Sequence, residues 1–102
     1  MFLIKGVDKM MSELPINLKE VDKESIDAEI LRVGIIAELD AVNLYEQMAA
    51  VANDDNIKKI LLDIAKEEKE HVGEFQALLL EKDKEQVESL EKGKKEVEEL
   101  IN

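Results

Sequence analysis

The chain contains no cysteine, which excludes disulfides, thiolate zinc sites and cysteine nucleophiles. Aromatic residues make up only 3% of it, so whatever core it builds is aliphatic. Proline occurs once and glycine four times, leaving few natural breaks in long helices. No run of about 18 apolar residues is available to span a bilayer. The opening MFLI is too short for the apolar region of a signal peptide. The expected location is therefore the cytoplasm, or a compartment enclosed within it. Basic residues are outnumbered by 25 acidic ones, and the net charge of −11 disfavours nucleic acid and anionic membranes as partners. That charge suits cations, and it equally suits solubility alone.

What is present points to helix. Hydrophobic residues, mostly Ile, Leu, Val and Ala, reach 45% and charged residues 38%, a balance of ordered rather than disordered acidic chains. At 102 residues a single domain is expected, short enough to complete its core by oligomerising. Residues 1–21 lack sustained periodicity and read as an extended, mobile lead-in, with Met10 and Met11 leaving the start codon open. From about Asp22, capped by Asp22 or Ser25, a first helix is expected to run to about Ala52. Its apolar side carries Ile30, Leu31, Ile35, Leu39, Val42, Tyr45, Met48 and Ala49. NDDN at 53–56 breaks it. A second helix follows with Ile57, Ile60, Leu61, Ile64, Val72, Phe75, Leu78 and Leu79 on its apolar side. So short a connection implies an antiparallel hairpin. DKEQ at 83–86 resembles a capping box opening a shorter, highly charged helix to about Ile101, weakened by Gly93.

Most carboxylates lie where a solvated face would place them, but two fall within the apolar stripes. Glu38 is flanked by Leu31, Ile35, Val42 and Tyr45, and Glu68 by Ile64 and Val72. A carboxylate buried alone costs several kcal/mol, so each must be paired, neutralised or metal-bound. His71, the one histidine, stands three residues after Glu68 on the same helix face. The midpoint of positions 38 and 68 is 53 and that of 38 and 71 is 54.5, both at the expected turn. Residues equidistant from a hairpin turn stand level, so Glu38, Glu68 and His71 are expected to meet at one height. Taken alone, Glu-x-x-His is equally a surface pair on a Lys/Glu-rich helix, and Glu38 equally the partner of a lysine. Glu67 and Glu74 share the general side of His71 and compete with Glu68 as ligands. Tyr45 reads as core or as a hydrogen-bond donor to a ligand. Ferritin-like di-iron proteins use four helices, a Glu from each of two and Glu-x-x-His from each of the others. One chain here offers half of that set. Carboxylate and imidazole donors without sulfur suit iron, manganese or zinc.

The stretches IIAELDAVNLYEQMA and, farther on, LLDIAKEEKEHVGEF resemble the encapsulated ferritin-like proteins, the cargo of encapsulin nanocompartments. The resemblance covers roughly residues 25–100. It implies an all-α fold, in which a two-helix hairpin with a short C-terminal helix dimerises into a ferritin-like four-helix bundle spanning residues 22–102. It implies a ferroxidase, with Glu38, Glu68 and His71 of each chain as ligands of a di-iron centre that manganese, zinc or calcium could also occupy. Tyr45 would stand beside the site, and Asp40 near the acidic residues that guide iron inward. Ala37 falls where a second such acid can occur, a departure from the family. Dimers would form a ring, typically a decamer, acting with an encapsulin shell protein as its cargo or as its fusion partner. EKGKKEVEELIN shows no Gly-Ser-Leu type shell-targeting tail, which fits a domain cut from such a fusion or a trimmed tail. Two readings compete with the ferroxidase. One is a non-enzymatic acidic helical module for metal binding or assembly; the other is a peroxide-reducing di-iron protein working with a separate reductase.

Overall fold

A computed structural model describes residues 22–102, and the expected lead-in at residues 1–21 lies outside them. Three helices follow in order: α1 (Ile26–Val51), α2 (Asp55–Lys82) and α3 (Lys84–Ile101). Among the described residues there is no strand, as the sequence leads one to expect.

Local chemistry sets the boundaries. Ser25, one of the two caps the sequence offers, precedes α1 but makes no side-chain cap bond. Its backbone already lies in the helical region (φ −102°, ψ −10°), whereas a capping side chain needs an extended backbone to reach the first free N–H groups. Asp27 and Glu29 in the first turn complement the helix dipole instead. The break is shorter than NDDN suggests. Asp54, extended at φ −83°, ψ 126°, accepts from the backbone N–H of Asn56 at 2.8 Å and of Ile57 at 3.0 Å. It thereby recruits Asp55 and Asn56 into the first turn of α2. Replacing Asp54 with alanine leaves both donors to water and should cost about 1 kcal/mol. Thermal unfolding of the metal-free Asp54→Ala variant should show a midpoint lowered by roughly 4–8 °C; an unchanged midpoint would remove Asp54 as the cap.

α1 and α2 pack antiparallel along their length, while α3 has little contact with α2 and none with α1. The buried seam is aliphatic and small: Val42, Leu44, Ala49, Ala65 and Leu79. Ile30, Leu39, Ile57, Ile60 and Leu78, placed by periodicity on the apolar sides, are exposed. Two helices share only one seam, so the flank of each apolar stripe has no neighbour within the hairpin.

Asp83 is extended (φ −133°, ψ 91°) and serves at once as the C-cap of α2 and the N-cap of α3. Its Oδ1 accepts from Gln86 N–H at 3.0 Å, half of the expected capping box. Its Oδ2 accepts from the Arg32 guanidinium of α1 at 3.2 Å. The chain bends there, and α3 projects from the hairpin with every apolar side chain exposed.

Candidate metal centre

Glu38 stands near the middle of α1, and Glu68 and His71 in the middle of α2. Good helix formers surround all three: Ala37 and Leu39 on one helix, and Ala65, Lys66, Glu67, Lys69 and Glu70 on the other. The backbone under the site is therefore regular, and the helix spacing alone aims the side chains. His71 Nδ1 lies 3.2 Å from Glu38 Oε2 across the hairpin and 3.4 Å from Glu68 Oε2 one turn back. With its proton on Nδ1, the imidazole donates to Glu38, whose carboxylate accepts.

The three donor atoms lie within 4.8 Å of one another, the one such group among the described residues. Donors bound to a single ion at about 2.1 Å stand roughly 3.0–3.4 Å apart when adjacent. The two separations from His71 Nδ1 fall in that interval, so the donor set is compatible with a divalent ion bound among the three side chains. Two hard carboxylate oxygens and one borderline nitrogen match iron, manganese or zinc in type. The carboxylates are screened, with side chains 20% and 19% exposed, while the imidazole is 43% exposed. The site thus opens outward on the His71 side. Ile60 and Leu78, eleven residues before and seven after His71, are whole turns away on that same face, and they are 61% and 51% exposed.

Of the competing acids, Glu67 and Glu74 are exposed and outside the donor group, so Glu68 is the partner of His71. Tyr45 is half-buried two turns along α1 from Glu38 and also outside it. Asp40 is buried, but two positions from Glu38 is about 200° round a helix, so it flanks a different side of α1. Lys69 reaches Glu46 at 3.4 Å, an exposed pair across the hairpin worth at most about 1 kcal/mol.

One contact beside the site escaped the sequence reading. A Cβ added at Gly34 would lie 3.2 Å from each of three atoms of the Phe75 ring. Gly34 is one turn before Glu38 and Phe75 one turn after His71. Both pairs share the midpoint 54.5, and that arithmetic, extended past the ligands, would have found the contact.

Comparison with known proteins agrees with this architecture. The family model EncFtn-like matches residues 13–97. A ferritin-like–encapsulin shell fusion protein of Pyrococcus furiosus is 62% identical over 82 residues, covering 80% of this chain and 24% of that protein. An encapsulin nanocompartment cargo protein, EncC, of Myxococcus xanthus is 36% identical over 69 residues, covering 65% of this chain and 53% of its own length. The chain thus spans about a quarter of one curated relative and about half of the other. The crystal structure of an encapsulated ferritin domain from Pyrococcus furiosus is also similar. It superposes with a TM-score of 0.77 at 56% identity, covering 89% of this chain and 95% of that one. A family match over most of the length, carried by the same helices that hold Glu38, Glu68 and His71, means that the chain belongs to the EncFtn-like family of encapsulated ferritin-like proteins.

Proposed function

We propose that the protein is a ferroxidase that oxidises Fe(II) to Fe(III) at a di-iron site completed by a second copy of the chain. The observation that carries this reading is the placement of two carboxylates and one imidazole at 3.2 and 3.4 Å separations, opening onto an exposed face. One chain supplies three donors, half of what a pair of ions needs. A two-fold axis through the His71 face doubles them to four carboxylates and two imidazoles, the ferritin-like set. The same axis covers Ile60 and Leu78, which the hairpin alone leaves in water.

Fe(II) is the substrate. Carboxylate oxygens favour the higher charge that develops as each ion loses an electron, and the imidazole fixes geometry without adding charge. Two Fe(II) ions release two electrons. Dioxygen accepting them with two protons leaves as hydrogen peroxide, or peroxide accepting them with two protons leaves as water. Glu38 and Glu68 would hold the substrate ions across the dimer, and His71 would offer Nδ1 as a neutral imidazole with its N–H on Nε2.

The relatives support a setting for this chemistry: one is named as a fusion to an encapsulin shell and one as encapsulin cargo. The chain would work enclosed in such a nanocompartment within the cytoplasm, its dimers joined in a ring of about ten chains. The shell protein, as fusion or host, would store the oxidised iron. No helix among the described residues is long and apolar enough to cross a membrane. Aerobic Fe(II) oxidation followed by absorbance, with oxygen and peroxide consumption measured in parallel, tests the reading. Protein-dependent oxidation that saturates with Fe(II) is expected. No rate above that of buffer would leave a metal-binding or assembly module, and turnover with peroxide alone would favour a peroxide reductase.

A further inference from the structure

We propose that Phe75, seated on Gly34, is a positioning residue that sets the distance between α1 and α2 at the metal centre. This inference rests on the ferroxidase reading of Glu38, Glu68 and His71. The space between two packed helices follows the side chains at their closest contact, over a range of about 8–10 Å. At this level of the hairpin the contact is a bare glycine against the flat of a ring, three of whose atoms lie 3.2 Å from the position a Cβ would take. Any residue larger than glycine must move that ring or the helix beneath it by a few tenths of an ångström. The contact is one turn, about 6 Å along the axis, from the level where Glu38 meets His71. An α-helix is stiff over one turn, so a spacing imposed at Gly34 is inherited at Glu38.

The ligands are sensitive to such a shift. Glu38 is the donor contributed by α1, so its separation from Glu68 and His71 is the one coordinate that the helix spacing controls. Metal–donor bonds tolerate deviations of only about 0.2 Å. Glu68 and His71 share a helix and keep their relation whatever α1 does. A spacer beside the site therefore acts on one specific ligand, through the interhelical gap. Phe75 has the size to hold the gap open and Gly34 has the smallness to let it close.

The test uses Co(II) as a probe in the intact protein, because its visible absorption reports donor number and geometry without any turnover. Wild type, Gly34→Ala, Phe75→Leu, the double variant and Glu68→Ala are titrated, with helix content followed by circular dichroism. Gly34→Ala should weaken Co(II) binding by about 10-fold and shift the absorption band. Phe75→Leu should also shift the band. The double variant, which trades volume across the contact, should recover affinity to within about 3-fold of wild type, together with its spectrum. Wild-type affinity and spectrum in Gly34→Ala, or a double variant worse than either single one, would overturn the spacer role. If Gly34→Ala loses its helix content, an unshifted band in Phe75→Leu overturns it equally. The outcome for Glu68→Ala separates the two ideas. Binding like wild type in that variant removes the triad as the metal site and the spacer with it. Lost binding there beside unchanged binding in Gly34→Ala removes the spacer alone.

Discussion

Glu68→Ala and His71→Ala are each expected to lower the rate of Fe(II) oxidation at least about 100-fold while leaving helix content unchanged. The size of the effect follows from symmetry. Each substitution removes one of three donors per chain, but in a paired site every change occurs twice, so two of six donors disappear together. Loss of partners that merely orient a ligand already costs 10–100-fold in affinity or activity. Stability should move little. Glu68 and Glu38 both approach Nδ1 of His71, at 3.4 and 3.2 Å, and in the absence of a cation their charges oppose one another. Removing one carboxylate relieves that opposition, so the thermal midpoint of metal-free Glu68→Ala should equal or exceed that of wild type. Stopped-flow absorbance and circular dichroism on the same samples separate lost chemistry from lost fold. Wild-type oxidation by both variants would sink the assignment.

The second large effect is on assembly. Fe(II) added without oxygen should at least double the mass of the metal-free protein, and a chelator should reverse the change. One hairpin satisfies only half the coordination that two ions require, so binding energy is gained fully when two chains share them. Anything that binds the assembled state alone stabilises it by mass action. The surface that pairing would cover is already apolar: Ile60 and Leu78 are exposed on either side of His71. An apolar flank provides the non-directional part of the association and the ions its register. Sedimentation velocity with and without Fe(II) reads this directly. His71→Ala should show the weaker association of the apolar flank alone, with no response to metal. A wild-type protein that stays monomeric under saturating Fe(II) would refute the shared site.

The sequence disclosed the hairpin and the triad for one reason: both depend on regular helices and a short turn. Periodicity of three and four residues identifies a stripe, and a common midpoint aligns two stripes without further information. That is why Glu38, Glu68 and His71 were legible together. Periodicity reports which side of a helix is apolar, but says nothing of which chain covers it. Ile60 and Leu78 therefore read as core and are exposed in the hairpin. The missing cap at Ser25 has a different origin, since it depends on a backbone angle that the residue type does not dictate. Periodicity cannot mark the Gly34 contact, because glycine belongs to no apolar stripe; only its shared midpoint with Phe75 points to it. Asp40 is a charged residue in a buried position of α1, and helix phase separates it from the triad although it is only two residues from Glu38.

The bend at Asp83 places an unusual share of the molecular shape in one side chain. With that residue in a helical conformation, α2 and α3 would merge into a single rod from Asp55 to Ile101, about 70 Å long at 1.5 Å per residue. What prevents this is one extended residue, one bond to the Gln86 N–H, and one ion pair to Arg32 with side chains 27% and 43% exposed. Partly exposed ion pairs of this kind are worth about 0–1 kcal/mol and weaken with added salt. The ion pair's share in aiming α3 is thus sensitive to ionic strength, whereas Glu38, Glu68 and His71 stand on two long helices packed along their length. The direction of the third helix and the grouping of Glu38, Glu68 and His71 are held by separate fastenings, the turn at Asp83 for the one and the packed hairpin for the other.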